Sequence, residues 1–185
     1  EAGGVLARIF HECDLLVAEC LHAGLLDGLE AADLAGVVST FVYEHRSPDD
    51  PPPPWFPSSD LATRCRGIAA ISTELAADEA AAGIVVHRAP DPTFFGVAHA
   101  WVAGEGFADV VDANDPTGTE LTGGDFVRTI RQLIDLLGQI ARVAPDAATR
   151  RAAADAAERA FREVVADSAS VGVPVAEPSD ADPPR

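Results

Sequence analysis

The stretch GDFVRTIRQLIDLLGQIARVAP at positions 124–145 constrains the fold more than any other part of the chain. At about 100° per residue, its apolar side chains fall on one broad face and its polar side chains on the opposite one. The apolar face consists of Phe126, Val127, Ile130, Leu133, Ile134, Leu137, Ile140 and Ala141. We therefore predict an amphipathic helix whose apolar face lies at the centre of a helical bundle.

Helical spacing of apolar residues continues along most of the chain. It recurs at 5–20, 34–42, 61–75, 94–102 and 107–111. Ser59 is expected to cap the third of these helices, and an Ala-rich helix after Pro145 is expected to end near Val165. Only IVVHR at 84–88 resembles a strand. These patterns predict an all-α bundle of about six helices over residues 1–167.

Two segments do not have the composition of packed helices. Residues 47–57, SPDDPPPPWFP, are expected to form an extended, polyproline-like loop. This loop either packs on the surface, the interpretation we favour, or presents Trp55 and Phe56 as an anchor for a partner protein. Residues 168–185 have the composition of a disordered tail.

Composition sets limits on function. The chain has 185 residues, is 48% apolar and carries a net charge of −17, which allows one core and disfavours non-specific binding of nucleic acid. Residues 124–162 differ, because they contain seven arginines and five carboxylates. Since the chain lacks Met and begins inside a helical pattern, we expect it to be the end of a longer protein.

Few motifs for catalysis or metal binding are present. No GxxxxGK[ST] loop occurs, and TGTELTGGD at 117–125 is better explained as a turn before a helix. HECD at 11–14 resembles a metal cluster only superficially, and the remaining histidines have no nucleophile placed beside them by the sequence. Cys13, Cys20 and Cys65 are interpreted as buried free thiols in a reducing cytosol. No apolar run has the ~18 residues that a membrane span needs.

The polar face of the helix at 124–145 has two interpretations. It carries Arg128, Arg131, Gln132, Asp135, Gln139 and Arg142. It is either a solvated face with an Arg131–Asp135 pair or a surface that meets a polyanion. Asp125 is predicted to be the N-cap, which places Arg128 in the first turn, where its charge opposes the helix dipole.

Glu44 is the second residue of interest. It is expected to end the helix at 39–46, half-buried beside the apolar stripe. Such a carboxylate needs a partner, which is either Arg46 or another arginine at the edge of the core.

Three blocks, in order, carry a family resemblance: residues 3–46, AWVAGEGFADVVDAN at 100–114 and GDFVRTIRQLIDLLGQI at 124–140. They resemble the C-terminal (DSH C-terminal) domain of superkiller-type DExH-box RNA helicases, and most strongly the actinobacterial helicase Y branch. The resemblance covers about residues 3–166.

The resemblance implies a cytoplasmic, ATP-dependent RNA helicase of the DEAD/DEAH-box type, in which this segment is an accessory bundle without catalysis of its own. ATP and Mg²⁺ would bind to motor domains upstream in the same chain, and this segment would hold no cofactor or metal. Arg128, Arg131 and Gln132 match positions that face the channel for single-stranded RNA, and Glu44 matches a glutamate near the same path. The alternative is a helical module that docks a partner such as an RNA-degradation complex.

Overall fold

The structure, a computed structural model, describes residues 9, 11–46, 50–51, 53–84, 87–113 and 121–170. These residues form eight α-helices and one 3₁₀ turn, and no β-strand occurs among them. The helices are α1 (Asp14–His22), α2 (Ala31–Val42), α3 (Ser59–Ala81), α4 (Phe95–Ala103), α5 (Phe107–Ala113), α6 (Gly123–Val143), α7 (Ala147–Ala160) and α8 (Glu163–Ser170), with the 3₁₀ turn at Pro92–Phe94. The all-α prediction is confirmed, with two more helices than the pattern indicated.

Helix α2 occupies the centre of the bundle. Every residue from Leu34 to Val42 is buried, and the helix packs against α3, α4, α6 and α7. A helix without a polar face has to be surrounded by other elements. Its two buried hydroxyls bond within the helix, from Ser39 to the Gly36 carbonyl at 2.7 Å and from Thr40 to the Val37 carbonyl at 2.8 Å, so burying them leaves no unmet donor.

Helix α6 lies beside this centre and is amphipathic as predicted. Phe126, Ile130, Leu133, Leu137 and Ile140 are each 0% exposed. The helix packs most extensively on α7. The apolar face of α6 therefore lines the core, but the helix enclosed on all sides is α2 and not α6.

Trp101 joins α4 to α6 and to the chain between α7 and α8. Its indole N–H donates to the Ala160 carbonyl at 2.9 Å, and its ring meets Phe126 edge-on with centroids 5.0 Å apart. The Arg162 guanidinium lies 3.6 Å from the centroid of the same ring. Arg162 also donates to the Trp101 and Glu105 carbonyls, so this cation closes the C-terminal end of α4.

Several predicted boundaries shift by a few residues. The N-cap of α3 is Ser58, whose hydroxyl accepts from the Leu61 N–H at 3.3 Å, and Ser59 is already helical. The expected Ala-rich helix is two helices, since α7 ends at Ala160 and α8 continues to Ser170. In the strand-like segment, residues 85 and 86 lie outside the described residues. So do residues 47–49 and 52 of the proline-rich loop and residues 171–185 of the expected tail.

The three thiols are free and buried, as predicted. Burial raises the pKa of Cys13 to about 11 and the pKa values of Cys20 and Cys65 to about 12. Because a thiolate rather than a thiol is nucleophilic, these cysteines are inert packing groups at neutral pH. No helix in the described part of the chain is long and apolar enough to cross a membrane.

Two helical glycines test this packing in opposite directions. A Cβ added to Gly36 would lie 2.6 Å from the Phe95 ring, whereas one added to Gly138 meets only the end of Arg142 at 3.9 Å. We expect Gly36→Ala to reduce the free energy of unfolding by about 1–3 kcal/mol through overpacking. Gly138→Ala should raise it by up to about 1 kcal/mol, because alanine favours the helix. Urea unfolding of both variants measures the difference, and a neutral Gly36→Ala would contradict the close α2–α4 contact.

Candidate nucleic-acid interface

The N-terminus of α6 is set by Thr122 and not by Asp125. The Thr122 hydroxyl accepts from the Asp125 N–H at 3.1 Å and donates to its carboxylate at 2.7 Å. The prediction that Asp125 is the N-cap is therefore wrong, since it is the third residue of the helix. Arg128 consequently lies in the second turn, where the conflict with the helix dipole no longer applies. A threonine three positions before a carboxylate is a capping pattern that the sequence already contained.

The outer face of α6 presents three exposed arginines. Arg131 and Arg142 lie eleven positions, or about three turns, apart and so on the same side of the helix. Neither belongs to an ion pair within the described residues. Arg128 pairs with Asp125 at 2.8 Å, and its side chain is 56% exposed. An ion pair this exposed contributes at most about 1 kcal/mol, so an external anion can compete for Arg128. We call Arg128, Arg131 and Arg142 the arginine stripe.

Two predictions about the polar face of α6 are wrong. Arg131 does not pair with Asp135, whose carboxylate instead accepts from the Gln139 amide at 2.9 Å. Gln139 is not on the solvated face, because it is only 4% exposed. At the edge of the apolar face a glutamine is buried once its amide has a partner. Gln132, by contrast, is exposed as predicted.

Glu44 differs from its prediction in position and in burial. Helix α2 ends at Val42, so Glu44 lies in the extended segment after it. Its side chain is 46% exposed and pairs with Arg46 at 3.0 Å. Arg46 was one of the two partners expected. The carboxylate is therefore accessible to an external group and is not held in the core.

The structure brings residues 43–46, which we call the Glu44 segment, and the start of α6 to the same end of the bundle. Tyr43 stacks on Phe94 with ring centroids 4.9 Å apart, and Phe94 in turn lies 6.5 Å from Phe126 of α6. Burial raises the pKa of Tyr43, and the charges of Asp91 and Asp125 raise it further. The Tyr43–Phe94 and Phe94–Phe126 ring contacts place the first turn of α6 on the same side of the bundle as this segment. Thus Glu44 and Arg128, which are 84 positions apart in sequence, share one region of the surface.

Residues 87–91, which we call the strap, are a part of this region that the sequence did not reveal. Arg88 donates to the Phe41 carbonyl at 2.6 Å and to the Tyr43 carbonyl, and its Nε donates to Glu12 at 3.0 Å. Asp91 accepts from the His45 N–H at 2.6 Å. Main-chain carbonyls at a helix end have no partner within the helix, and Arg88 supplies one for the end of α2. No sequence pattern marks this contact, because it joins residues more than 40 positions apart.

The HECD segment forms hydrogen bonds both locally and to a distant part of the chain. The His11 ring accepts from the Cys13 N–H at 3.1 Å, and the Cys13 thiol contacts the Arg88 carbonyl at 3.8 Å. Among the described residues no group of three or more His, Cys, Asp or Glu side chains could hold a metal ion.

The fold and this surface define an all-helical bundle with a basic stripe on an otherwise acidic chain. Residues 1–168 match the DSHCT (NUC185) domain, and the chain belongs to that family. It is 41% identical over 169 residues to a protein named probable helicase HelY from Mycobacterium leprae, and 42% identical to its namesake in Mycobacterium tuberculosis H37Rv. These alignments cover 89% of the chain but only 18% and 19% of those relatives. The chain thus spans about a fifth of the length of the curated relatives it matches. The predicted family is confirmed.

Thr122→Ala tests the observed start of α6. Removing the hydroxyl leaves the Asp125 N–H without its partner, so we expect the free energy of unfolding to fall by about 0.5–2 kcal/mol in urea. Thr122→Ser keeps the hydroxyl and is the matched control. Its free energy of unfolding should fall by less than that range. Equal stability of the alanine and serine variants would show that Thr122 is not the cap.

Proposed function

We propose that the chain is the C-terminal accessory domain of an ATP-dependent RNA helicase of the DExH-box type. In this proposal it lines the path of single-stranded RNA and supports unwinding and translocation. The support is membership of the DSHCT family together with identity above 40% to proteins named as probable helicases. The domain itself performs no catalysis in this proposal, and ATP and Mg²⁺ bind to motor domains upstream in the same cytoplasmic polypeptide.

The observation that carries this proposal is the arginine stripe. Arg131 and Arg142 are exposed without a carboxylate partner in the described part of the chain, although acidic residues greatly outnumber basic ones overall. A guanidinium presents a planar set of donors that matches phosphate oxygens. Cations that remain free on such an acidic surface are poorly explained by stability alone, because exposed charges contribute little to it.

Gln132 and Glu44 extend the proposed contact surface. The amide of Gln132 both donates and accepts hydrogen bonds, and so suits base edges. The Glu44 carboxylate only accepts, so it would bind a donor such as a base amine or a ribose 2′-hydroxyl. Arg46, its present partner, is 69% exposed, which leaves that pair open to exchange.

Replacing Arg128 and Arg131 together in the full-length helicase tests the proposal. We expect Arg128→Ala/Arg131→Ala to bind single-stranded RNA about tenfold more weakly, since each arginine neutralises one phosphate. The slope of log affinity against log salt should become shallower by about 1.4, because roughly 0.7 counterions are released per phosphate contact on a single strand. RNA-stimulated ATPase activity and unwinding should fall with affinity.

Arg159→Ala is a matched control for this test. Arg159 is 54% exposed and pairs with Asp155 at 2.9 Å on α7, much as Arg128 pairs with Asp125 on α6. The control should bind RNA like the wild type, and all variants should melt near the wild-type temperature because the changes are exposed. A double variant with the wild-type affinity and salt slope would reduce the stripe to a solvated face.

A second candidate function, docking of a partner protein, is favoured by one feature of the loop at 47–57. Phe56 packs against Phe95 with ring centroids 5.0 Å apart, whereas Trp55 is 56% exposed and contacts His99 edge-on at 5.7 Å. Within the described part of the loop, Phe56 is therefore packed, whereas Trp55 remains available as an anchor. A groove of about 310 Å³ lies beside it, lined by Thr40, Pro54, Phe56, Ala62, Cys65, Arg66, Ala69, Pro90 and Pro92.

The charge at this groove supports an acidic peptide as the proposed occupant. Arg66 is exposed, and its guanidinium bonds to the Thr63 hydroxyl at 2.8 Å but forms no ion pair among the described residues. An apolar groove beside an exposed guanidinium that has no carboxylate partner fits a peptide that carries a leucine-like side chain next to a carboxylate. An RNA-degradation complex that presents such a segment would be the partner.

Trp55 fluorescence reports on this second candidate. We expect an acetylated Leu-Leu-Glu peptide to change the emission saturably, and its Leu-Leu-Gln counterpart to bind about tenfold more weakly. The Arg66→Ala variant should lose the difference between the two peptides, and Trp55→Phe provides the background from buried Trp101. Equal titrations of wild type and Arg66→Ala would reject the groove as an acidic-peptide site.

A further inference from the structure

His87 lies at the centre of a hydrogen-bonded cluster that the sequence did not predict. Its Nε2 lies 2.9 Å from the Ser72 hydroxyl and its Nδ1 lies 2.8 Å from Glu79 Oε2. The same carboxylate oxygen accepts from the His87 main-chain N–H at 2.9 Å. A carboxylate only accepts, so Nδ1 donates to Glu79 and, in the neutral ring, Nε2 accepts from Ser72. We call Ser72, Glu79 and His87 the lock.

The hydrogen bonds of the lock connect serine, histidine and carboxylate as in the catalytic triad of a hydrolase, but the surroundings of these residues do not suit catalysis. Ser72 is only 4% exposed and lies in the interior of α3, where main-chain N–H groups are used by the helix. A serine nucleophile needs access to substrate and free donors for the developing oxyanion, and this position offers neither. The lock therefore acts by holding residues together. Its two His87 donors, the main-chain N–H and then the ring, lower the pKa of Glu79, so the carboxylate stays ionised at neutral pH.

The lock fastens the first residue of the strap to α3, and the rest of the strap grips the Glu44 segment. Arg88 binds the Tyr43 carbonyl, one residue before Glu44. Asp91 binds the His45 N–H, one residue after it, at 2.6 Å. The Asp91 N–H also donates to the Thr40 carbonyl at 2.9 Å. The main chain on both sides of Glu44 is thus fixed by the strap, while the Glu44 side chain itself remains exposed.

We infer that the lock and the strap are positioning groups for Glu44. They hold its carboxylate at the end of the bundle where α6 and the arginine stripe begin. The inference rests on the proposed function, in which Glu44 contacts RNA. An exposed carboxylate on a free loop would lose conformational entropy on meeting its ligand. Here the main chain is already ordered by contacts from α3 through the strap, so that loss is reduced before RNA arrives.

A double-mutant cycle in the full-length helicase tests the inference. The probe is a labelled 20-nucleotide oligouridylate, with affinity measured in the presence of a non-hydrolysable ATP analogue. We expect Glu79→Ala, which removes the acceptor of both His87 donors, to weaken binding about fivefold, as does Glu44→Ala. Since both changes act through one carboxylate, the double variant should bind no more than about twofold more weakly than either single variant.

Glu79→Gln is the conservative control, because its amide oxygen still accepts from both His87 donors, and it should bind like the wild type. Arg88→Lys keeps the charge but loses the paired contacts to the Phe41 and Tyr43 carbonyls. It should show the same coupling to Glu44, and it replaces Glu79→Ala if that variant does not fold.

The outcomes separate the inference from the proposal beneath it. Suppose first that Glu44→Ala weakens binding. The positioning role is then overturned if the effects of Glu79→Ala and Glu44→Ala multiply independently. It is also overturned if Glu79→Ala and Arg88→Lys both bind like the wild type. Wild-type binding by Glu44→Ala would remove Glu44 from the RNA path and the inference with it. That result would leave the arginine stripe to be decided by its own variants.

Discussion

The burial of α2 on every side is the constraint on which the rest of the structure depends. Every residue from Leu34 to Val42 is buried, so the helix requires neighbours around its whole circumference. Gly36 allows one neighbour, α4, to come close enough for the Phe95 ring to cover the backbone. The amphipathic helices complete the enclosure with one face and leave their polar faces outward. The basic face of α6 is exposed because its other face is needed to enclose this centre.

A buried helix also creates a requirement at its ends. The last carbonyls of α2 have no partner within the helix, and Arg88 binds those of Phe41 and Tyr43. The same solution recurs elsewhere in the bundle. Arg150 binds the Ala144 and Pro145 carbonyls after α6, and Arg162 binds carbonyls at the end of α4. Arginine suits this role because one guanidinium reaches several acceptors at once.

This use of arginine explains how an acidic chain can still expose a basic stripe. Arg88, Arg150 and Arg162 are committed to carbonyls, and Arg159 is committed to Asp155. Among the arginines of α6, Arg131 and Arg142 form no ion pair within the described residues, and Arg128 pairs only with the partly exposed Asp125. The Ala144 carbonyl that follows this helix is already bound by Arg150. The net charge of the chain therefore does not indicate the charge of each surface of this domain. The surface charge depends instead on which arginines bind carbonyls at helix ends and which arginines face solvent.

The amino-acid sequence by itself determined the elements and the family. A spacing of 3.6 residues is a local property, so the helices α2 and α6 and the buried thiols were all predictable. The Thr122 cap is local as well, because its capping pattern spans only three positions. Contacts between distant residues were not predictable. Only the tertiary structure decided that Gln139 is buried and that Glu44 is exposed. It alone joined Ser72 to His87 and placed Arg88 on the end of α2. Local patterns specify which face of a helix is apolar, but burial and pairing at its edges depend on which elements arrive there when the core closes.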